Sequence, residues 1–273
     1  MIRIISKNSI IKYILPYLSK PKRGGTNSNL WEIINAILYK FKTGVQWSLL
    51  PVKSLIYNSK IKYGAVYHHF RKWVLDGSWE RAFQNILTKY GCYLDLSVAN
   101  FDGTHSPAKK GGKQVAYQGR KKCKTSNTLW LVDKQGLPVG FTPPIAGNHH
   151  DVFQSKRYLT ELNKQLLKSN ISLDGLFVNA DAGFDSFEFR VACDKLNVNI
   201  NVPANSRRSN SLSVHYQYFD ELLYEERYVV ERTNAWMDSK RTLMIRYDTS
   251  VESWTAWHYI FCVNQWINYL LKL

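Results

Sequence analysis

Apolar positions follow two rhythms along this chain. In the first third they recur three and four residues apart. Leu30, Ile33, Ile34, Ile37, Leu38 and Phe41 form one such stripe, opened by Asn29 with Glu32 as a capping box and stopped by Gly44. A second stripe over residues 62–74 sets Val66, Tyr67, Phe70, Trp73 and Val74 on a face and turns Arg71 and Lys72 elsewhere. After the Asp76-Gly77 turn, a third helix is expected over 79–90. From about residue 95 the runs shorten: strands are expected over 94–102, 128–132, 137–141, 176–180 and 198–202, with a hairpin turn at Gln135-Gly136. Helices are expected over 152–168 and 187–196, and a last helix carries YEERYVVERTNAWMDSKRTL.

Strand, hairpin, helix, strand, helix, strand, helix is the element order of an RNase H-like α/β core, a mixed sheet flanked by helices. The composition shift places that core at 95–273, after a small all-α region at 1–94, and there is no internal repeat. Three short helices with basic exposed faces suit a helix-turn-helix-like DNA-binding region, although any small helical bundle shares the pattern.

Charge narrows the partners. The 273 residues carry 37 Lys plus Arg against 21 Asp plus Glu, a formal charge of +16, so the surface repels itself unless a polyanion screens it. Nucleic acid is the leading partner. A hydrophobic content of 45% with 9 Trp excludes a disordered tail. Cys92, Cys123, Cys193 and Cys262 lack the short spacings of zinc or redox motifs and read as buried reduced thiols. No apolar run approaches the ~18 residues that span a bilayer. The opening MIRIISKNSIIKYILPYL is broken by Lys7, Asn8, Lys12 and Pro16 without a cleavage site, so a cytoplasmic protein with no membrane partner is expected.

The candidate chemistry lies in carboxylates. Asp102 closes its expected strand before Gly103-Thr104, and Asp181 ends the next buried run before Ala182-Gly183. Adjacent strands lie ~4.8 Å apart, so carboxylates at neighbouring strand ends can share one cation or a pair of cations ~4 Å apart. In the last helix Tyr224, Arg227, Glu231 and Asp238 fall at offsets 0, 3, 7 and 14, one helical face that serves equally as a solvated stripe or a site. Mg²⁺ prefers oxygen ligands and keeps waters, so three carboxylates suffice for phosphoryl transfer. Asp151 with Gln154 and Asp185 with Glu188 read instead as capping boxes. Lys109, Lys110, Lys113, Arg120, Lys121, Lys122 and Lys124 form a basic run downstream of Asp102, either a solvated loop or a phosphate-neutralising surface.

Several segments together resemble one family. FDGTHSPAKKGG, PIAGNHHDVFQ, NADAGFDS and YEERYVVERTNAWMDSKRTL are similar, in order and spacing, to the bacterial DDE transposases of the "insertion sequence five" (IS-five/IS-four type) group. LWEIINAILYKFKTGVQWSLLP and VYHHFRKWVLDGSWERAF resemble its N-terminal helical region, so the likeness covers roughly residues 20–270. The resemblance implies a catalytic, metal-binding triad of Asp102, Asp181 and Glu231 with two Mg²⁺ or Mn²⁺ ions, and phosphate contacts from Tyr224 and Arg227. It implies DNA cleavage and strand transfer at an element's terminal inverted repeats and into target DNA, and pairing of two ends suggests a homodimer on DNA. The family's Asn-x-His-Asp motif falls on Asn148, His150 and Asp151, where a scaffolding role is expected of the His149-His150 pair rather than ligation. The chain departs from the pattern at Asp238, where the signature carries Lys, and at Ala182 and Asn234, where relatives often carry Lys and Phe. A non-catalytic DNA-binding remnant and an RNase H-like nuclease are the alternative functions.

Overall fold

The computed structural model describes residues 2–20, 29–57, 60–205 and 219–273. Helices α1 (Lys7–Tyr13), α2 (Leu30–Thr43), α3 (Val52–Leu55), α4 (Tyr63–Leu75) and α5 (Ser78–Tyr90) come first. They are followed by β1 (Ala99–Pro107), β2 (Ala116–Gln118), β3 (Cys123–Val132), β4 (Pro138–Phe141) and β5 (Ile145–Ala146). Next come α6 (Ser155–Leu167), β6 (Phe177–Ala180), α7 (Phe187–Asp194) and β7 (Asn199–Asn201). The chain closes with α8 (Glu221–Glu225), α9 (Tyr228–Asp238), α10 (Arg241–Met244) and α11 (Val251–Leu270). Two compact units divide these elements. One takes Met1–Ile86, Lys109–Lys113 and Met237–Leu273; the other takes Leu87–Ala108 and Gln114–Trp236.

The first unit is built around aromatic side chains. Trp257 of α11 stacks on Phe70 of α4 with ring centroids 4.3 Å apart, and Phe41 of α2 and Trp47 stack on it at 6.1 and 6.2 Å. The helix α11 is buried on nearly all sides over most of its length because large apolar residues fall on every side of it, with His258, Asn264 and Gln265 buried among them and Ser250 capping its first turn. Helix α2 ends where the stripe predicts, at Gly44, whose φ of 68° suits a residue without Cβ. Its opening differs from the expected capping box: Asn29 is the N-cap but makes no side-chain cap bond, and Glu32 is drawn inside at 2% exposure. No helix among the described residues is long and apolar enough to cross a membrane.

The second unit is a mixed sheet in the order β2-β3-β1-β6-β7, with β4 and β5 also pairing with β3. β1 runs antiparallel to β3 but parallel to β6, and β6 runs parallel to β7. Side chains alternate across this sheet. Phe101 faces Phe184, in the turn after β6, and Phe189 of α7, with ring centroids at 5.3 and 6.1 Å. Helix α9 is secured by buried Val229 and Val230 and by Thr233, whose hydroxyl donates to Gly136 O at 2.8 Å. This is the RNase H-like arrangement that the element order predicts.

Three expectations need correction. β1 begins at Ala99 rather than 94 and continues past Asp102, because Asp95 accepts the Ser97 N–H at 3.1 Å in a local turn while Thr104 and Ser106 pair with Thr128 and Ser126. The last expected helix is broken into α8, α9 and α10, with Arg227 in the turn between the first two. The thiols are free, but only Cys193 and Cys262 are buried: Cys92 is exposed and Cys123 half-buried, since 45% hydrophobic content does not place each small residue inside.

A Cβ at Gly44 would stand 2.9 Å from Arg241 Cβ as well as requiring a left-handed conformation. Gly44→Ala is therefore expected to destabilise the protein by about 1–2 kcal/mol in denaturant titration, and an unchanged midpoint would contradict the cap assignment.

Candidate active site

Parallel pairing sets the geometry of the two aspartates. In the β1–β6 register Ala99 is level with Val178, Asn100 with Asn179 and Phe101 with Ala180. Asp102 and Asp181 are the next residues on each strand. Their backbones therefore follow at the same level on neighbouring strands, whose usual spacing is ~4.8 Å, with Asp102 still within β1 on the face opposite Phe101 and Asp181 just past the end of β6. Asp181 is held by the Gly183 N–H, which donates to its Oδ1 at 2.8 Å. Asp102 lies inside β1, opposite Trp130 of β3.

Electrostatics register this proximity. Burial pushes the Asp102 carboxyl up to about 6. The Arg227 guanidinium and the Gly103 N–H oppose that rise, and the negative charges of Asp181 and Asp151 add to it. Asn234 of α9 donates from Nδ2 to Asp102 Oδ2 at 3.3 Å and accepts the Thr104 hydroxyl at 2.7 Å. Sequence comparison marked Asn234 only as a departure; in the fold it ties α9 to β1.

Glu231 lies three residues before Asn234 on α9, a spacing that makes them neighbours on one helical face. Its side chain is exposed. Among the described residues no group of three His, Cys, Asp or Glu side chains stands close enough to hold a metal ion. The structure thus brings Asp102 and Asp181 level, and puts Glu231 one helical turn from the residue that touches Asp102. Tyr224 of α8 and Arg227 are packed together, the guanidinium 5.7 Å from the ring centroid. Asp238 is exposed at the end of α9.

The basic run divides between the units. Lys109, Lys110 and Lys113 belong to the first, where the Lys109 N–H donates to Arg246 O at 3.0 Å and Lys113 O accepts from Arg246 at 3.0 Å. Arg120, Lys121, Lys122 and Lys124 belong to the second. All seven side chains are exposed, and Lys121 also reaches His105 O at 2.9 Å.

Neither expected capping box forms. Helix α6 starts at Ser155 behind Gln154, while Asp151 turns back onto the sheet, where Asn127 Nδ2 donates to its Oδ1 at 2.5 Å and His105 Nε2 stands 3.8 Å away. Gly103 leaves it room: a Cβ there would lie 2.8 Å from Asp151 Cγ. Asp185 is nearly buried and takes the Arg190 Nε and Nη2 on one oxygen at 3.0 and 2.9 Å, leaving the cap of α7 to Ser186. His149 stacks on Phe153 with ring centroids 3.6 Å apart. The link from Asp151 to His105 and Asn127 escaped sequence reasoning because its partners lie some twenty to fifty residues away and alternate with apolar positions as any strand residues do.

A mixed sheet with helices on it and two carboxylates level on its parallel strands places the chain in the RNase H-like class. The same fold occurs in a piggyBac transposase synaptic complex with hairpin DNA, at 13% identity and a TM-score of 0.55, over 96% of this chain and 70% of that one. A chain of the simian T-cell lymphotropic virus intasome in complex with PP2A regulatory subunit B56 gamma matches at 17% identity and a TM-score of 0.31, over 54% of this chain; the match spans 40% of the viral complex's chain. The Mos1 transposase paired-end complex matches at 14% identity and 0.30, over 90% and 82%. No curated protein is significantly similar. A family model described as "Putative transposase of IS4/5 family" matches residues 9–83, and one described as "Transposase DDE domain" matches residues 94–264. The chain belongs to the DDE transposases of the IS4/5 family.

Because the folded state holds the Asp102 proton more tightly than the ordinary value of 3.8, its contribution to stability is present at low pH and lost as pH rises through about 6. Asp133, buried under three backbone N–H groups and also raised to about 6, acts in the same direction. Asp102→Asn is expected to raise Tm at pH 7 by roughly 2–4 °C, with the difference vanishing near pH 4; a lowered Tm at pH 7 in thermal unfolding would contradict this account.

Proposed function

We propose that this chain is the transposase of a bacterial insertion sequence, cutting phosphodiester bonds at the element's ends and joining the freed 3′-hydroxyl to target DNA. The observation that carries the reading is the level placement of Asp102 and Asp181 on adjacent parallel strands, with Glu231 on the helix laid beside them. Asp102, Asp181 and Glu231 are the residues that would hold divalent metal, Mg²⁺ or Mn²⁺. Their donor set fits a hard cation: all three offer carboxylate oxygens, and the Asp102 carboxyl, raised first by burial and further by the charges of Asp181 and Asp151, is one that a positive charge would stabilise in its ionised form. Mg²⁺ needs only one or two fixed carboxylates alongside water and phosphate oxygens, so a site without a close trio among the described residues suits it. Two bound ions would supply activation of the attacking hydroxyl and stabilisation of the leaving 3′-oxygen.

The chain's own groups do the rest. Arg227, stacked on Tyr224 and close enough to lower the acidity shift of Asp102, positions a phosphate beside the carboxylates. The exposed Lys109, Lys110, Lys113, Arg120, Lys121, Lys122 and Lys124 neutralise duplex backbone without reading sequence. The helical region at 1–94 serves end recognition and the region at 95–273 the chemistry, with a homodimer pairing two ends.

Asp102→Asn and Glu231→Gln are each expected to cut Mg²⁺-dependent nicking and strand transfer at least about 100-fold, with duplex-end affinity retained; nicking at the wild-type rate in either variant would reject the assignment. Replacing Arg120 and Lys122 by Ala should flatten the dependence of log affinity on log salt by roughly 1–2, measured by fluorescence anisotropy. An unchanged slope would remove those cations from the interface.

A further inference from the structure

One row of buried side chains has no part in the chemistry above. Asn100, Asn179 and Asn201 occupy matching register positions on β1, β6 and β7, three adjacent parallel strands. They share the face of Asp102, two residues before it along β1, and none is more than 1% exposed. Asn201 Nδ2 donates to Asn179 Oδ1 at 2.9 Å, and Asn179 Nδ2 donates to Asn100 Oδ1 at 3.2 Å. The row then reaches out to backbone. Asn179 Nδ2 also donates to Leu223 O at 2.7 Å. Asn201 grips both polar groups of Asp220, donating to its O at 2.8 Å and accepting from its N at 2.9 Å.

Asp220 is the N-cap of α8, its carboxylate accepting from Leu223 N at 2.9 Å. Every bond from the row therefore lands on the first turn of the segment that continues through Tyr224 and Arg227 to Glu231. Apolar side chains of similar volume would fill this space without burying amides that must all find partners, and the Asn100 Nδ2 finds none among the described residues. Apolar packing would, however, let the short helix rotate and slide. Amide-to-backbone bonds are directional, so they fix both its height on the sheet and its rotation.

We propose that Asn100, Asn179 and Asn201 are positioning residues, an amide ladder that sets α8 on the carboxylate face and so determines where Tyr224, Arg227 and Glu231 stand relative to Asp102 and Asp181. The consequence for metal rests on the transposase reading; the consequence for the helix does not. The ladder is a register device, comparable in logic to a single buried polar residue that fixes alignment in a packed interface.

The test uses full-length protein carrying Asn179→Leu, Asn201→Leu or the smaller Asn201→Ser, the last included in case an apolar substitution prevents folding. Hydrogen exchange without DNA or metal is expected to speed up about 10-fold for the amides of residues 220–231, equivalent to the loss of one or two bonds, while β1 and β3 keep their protection. Mn²⁺ titration followed by paramagnetic resonance should show weaker binding than wild type by about 10-fold, and half-saturating Mg²⁺ in strand transfer should rise in parallel. Uniform faster exchange with unchanged Mn²⁺ affinity would reduce the row to ordinary core and overturn the proposal. Glu231→Gln run alongside separates the two ideas: if it leaves Mn²⁺ affinity intact, the metal assignment fails, while the local exchange result still judges the ladder.

Discussion

Two carboxylates held level on adjacent strands repel each other, and burial sharpens the repulsion because less water screens it. A sheet can enforce such a placement since hydrogen bonding between β1 and β6 fixes the register before the side chains are considered. The surrounding groups are then arranged around that unfavourable pair. Arg227 offers positive charge, Asn234 and the Gly103 N–H offer donors to Asp102, and Gly183 offers one to Asp181. The remaining excess of negative charge is what a protonated carboxyl or a nearby cation would relieve.

The strands that bear these residues were legible because buried parallel strands read as short, mainly apolar runs, a pattern that survives Asn179 at Leu176-Phe177-Val178-Asn179-Ala180. The layers of the core followed from element order. What local pattern misjudged was side-chain destination. Asp151 and Asp185 both stand three residues before a Gln or Glu, and the capping-box signal carries no information about Asn127 and His105, or about an Arg190 that reaches back over five residues. Glu231 was reached through resemblance, since an exposed glutamate in a polar stripe has no distinguishing local mark. The amide row was invisible for a related reason: three asparagines separated by 79 and 22 residues become neighbours only once the strand order is known.

Helix α11 illustrates the opposite blind spot. Amphipathic periodicity finds helices that have a wet side, and this one has almost none between Ser253 and Ile267. Its aromatic residues complete a core whose other members come from α2 and α4, two hundred residues earlier in the chain. Composition along the sequence therefore marks where the sheet begins without revealing that the final segment returns to the helices.

That return has an evolutionary corollary. Mobile elements accumulate frameshifts and premature stop codons, and a short product ending near Trp236 would lack the tryptophans that fill the helical core, leaving Phe41 and Phe70 without their shared stacking partner. Such a fragment would be a substrate for proteolysis because its helical core would be incomplete. In this architecture, damage at the tail of the gene falls on the helical unit encoded mostly at its start.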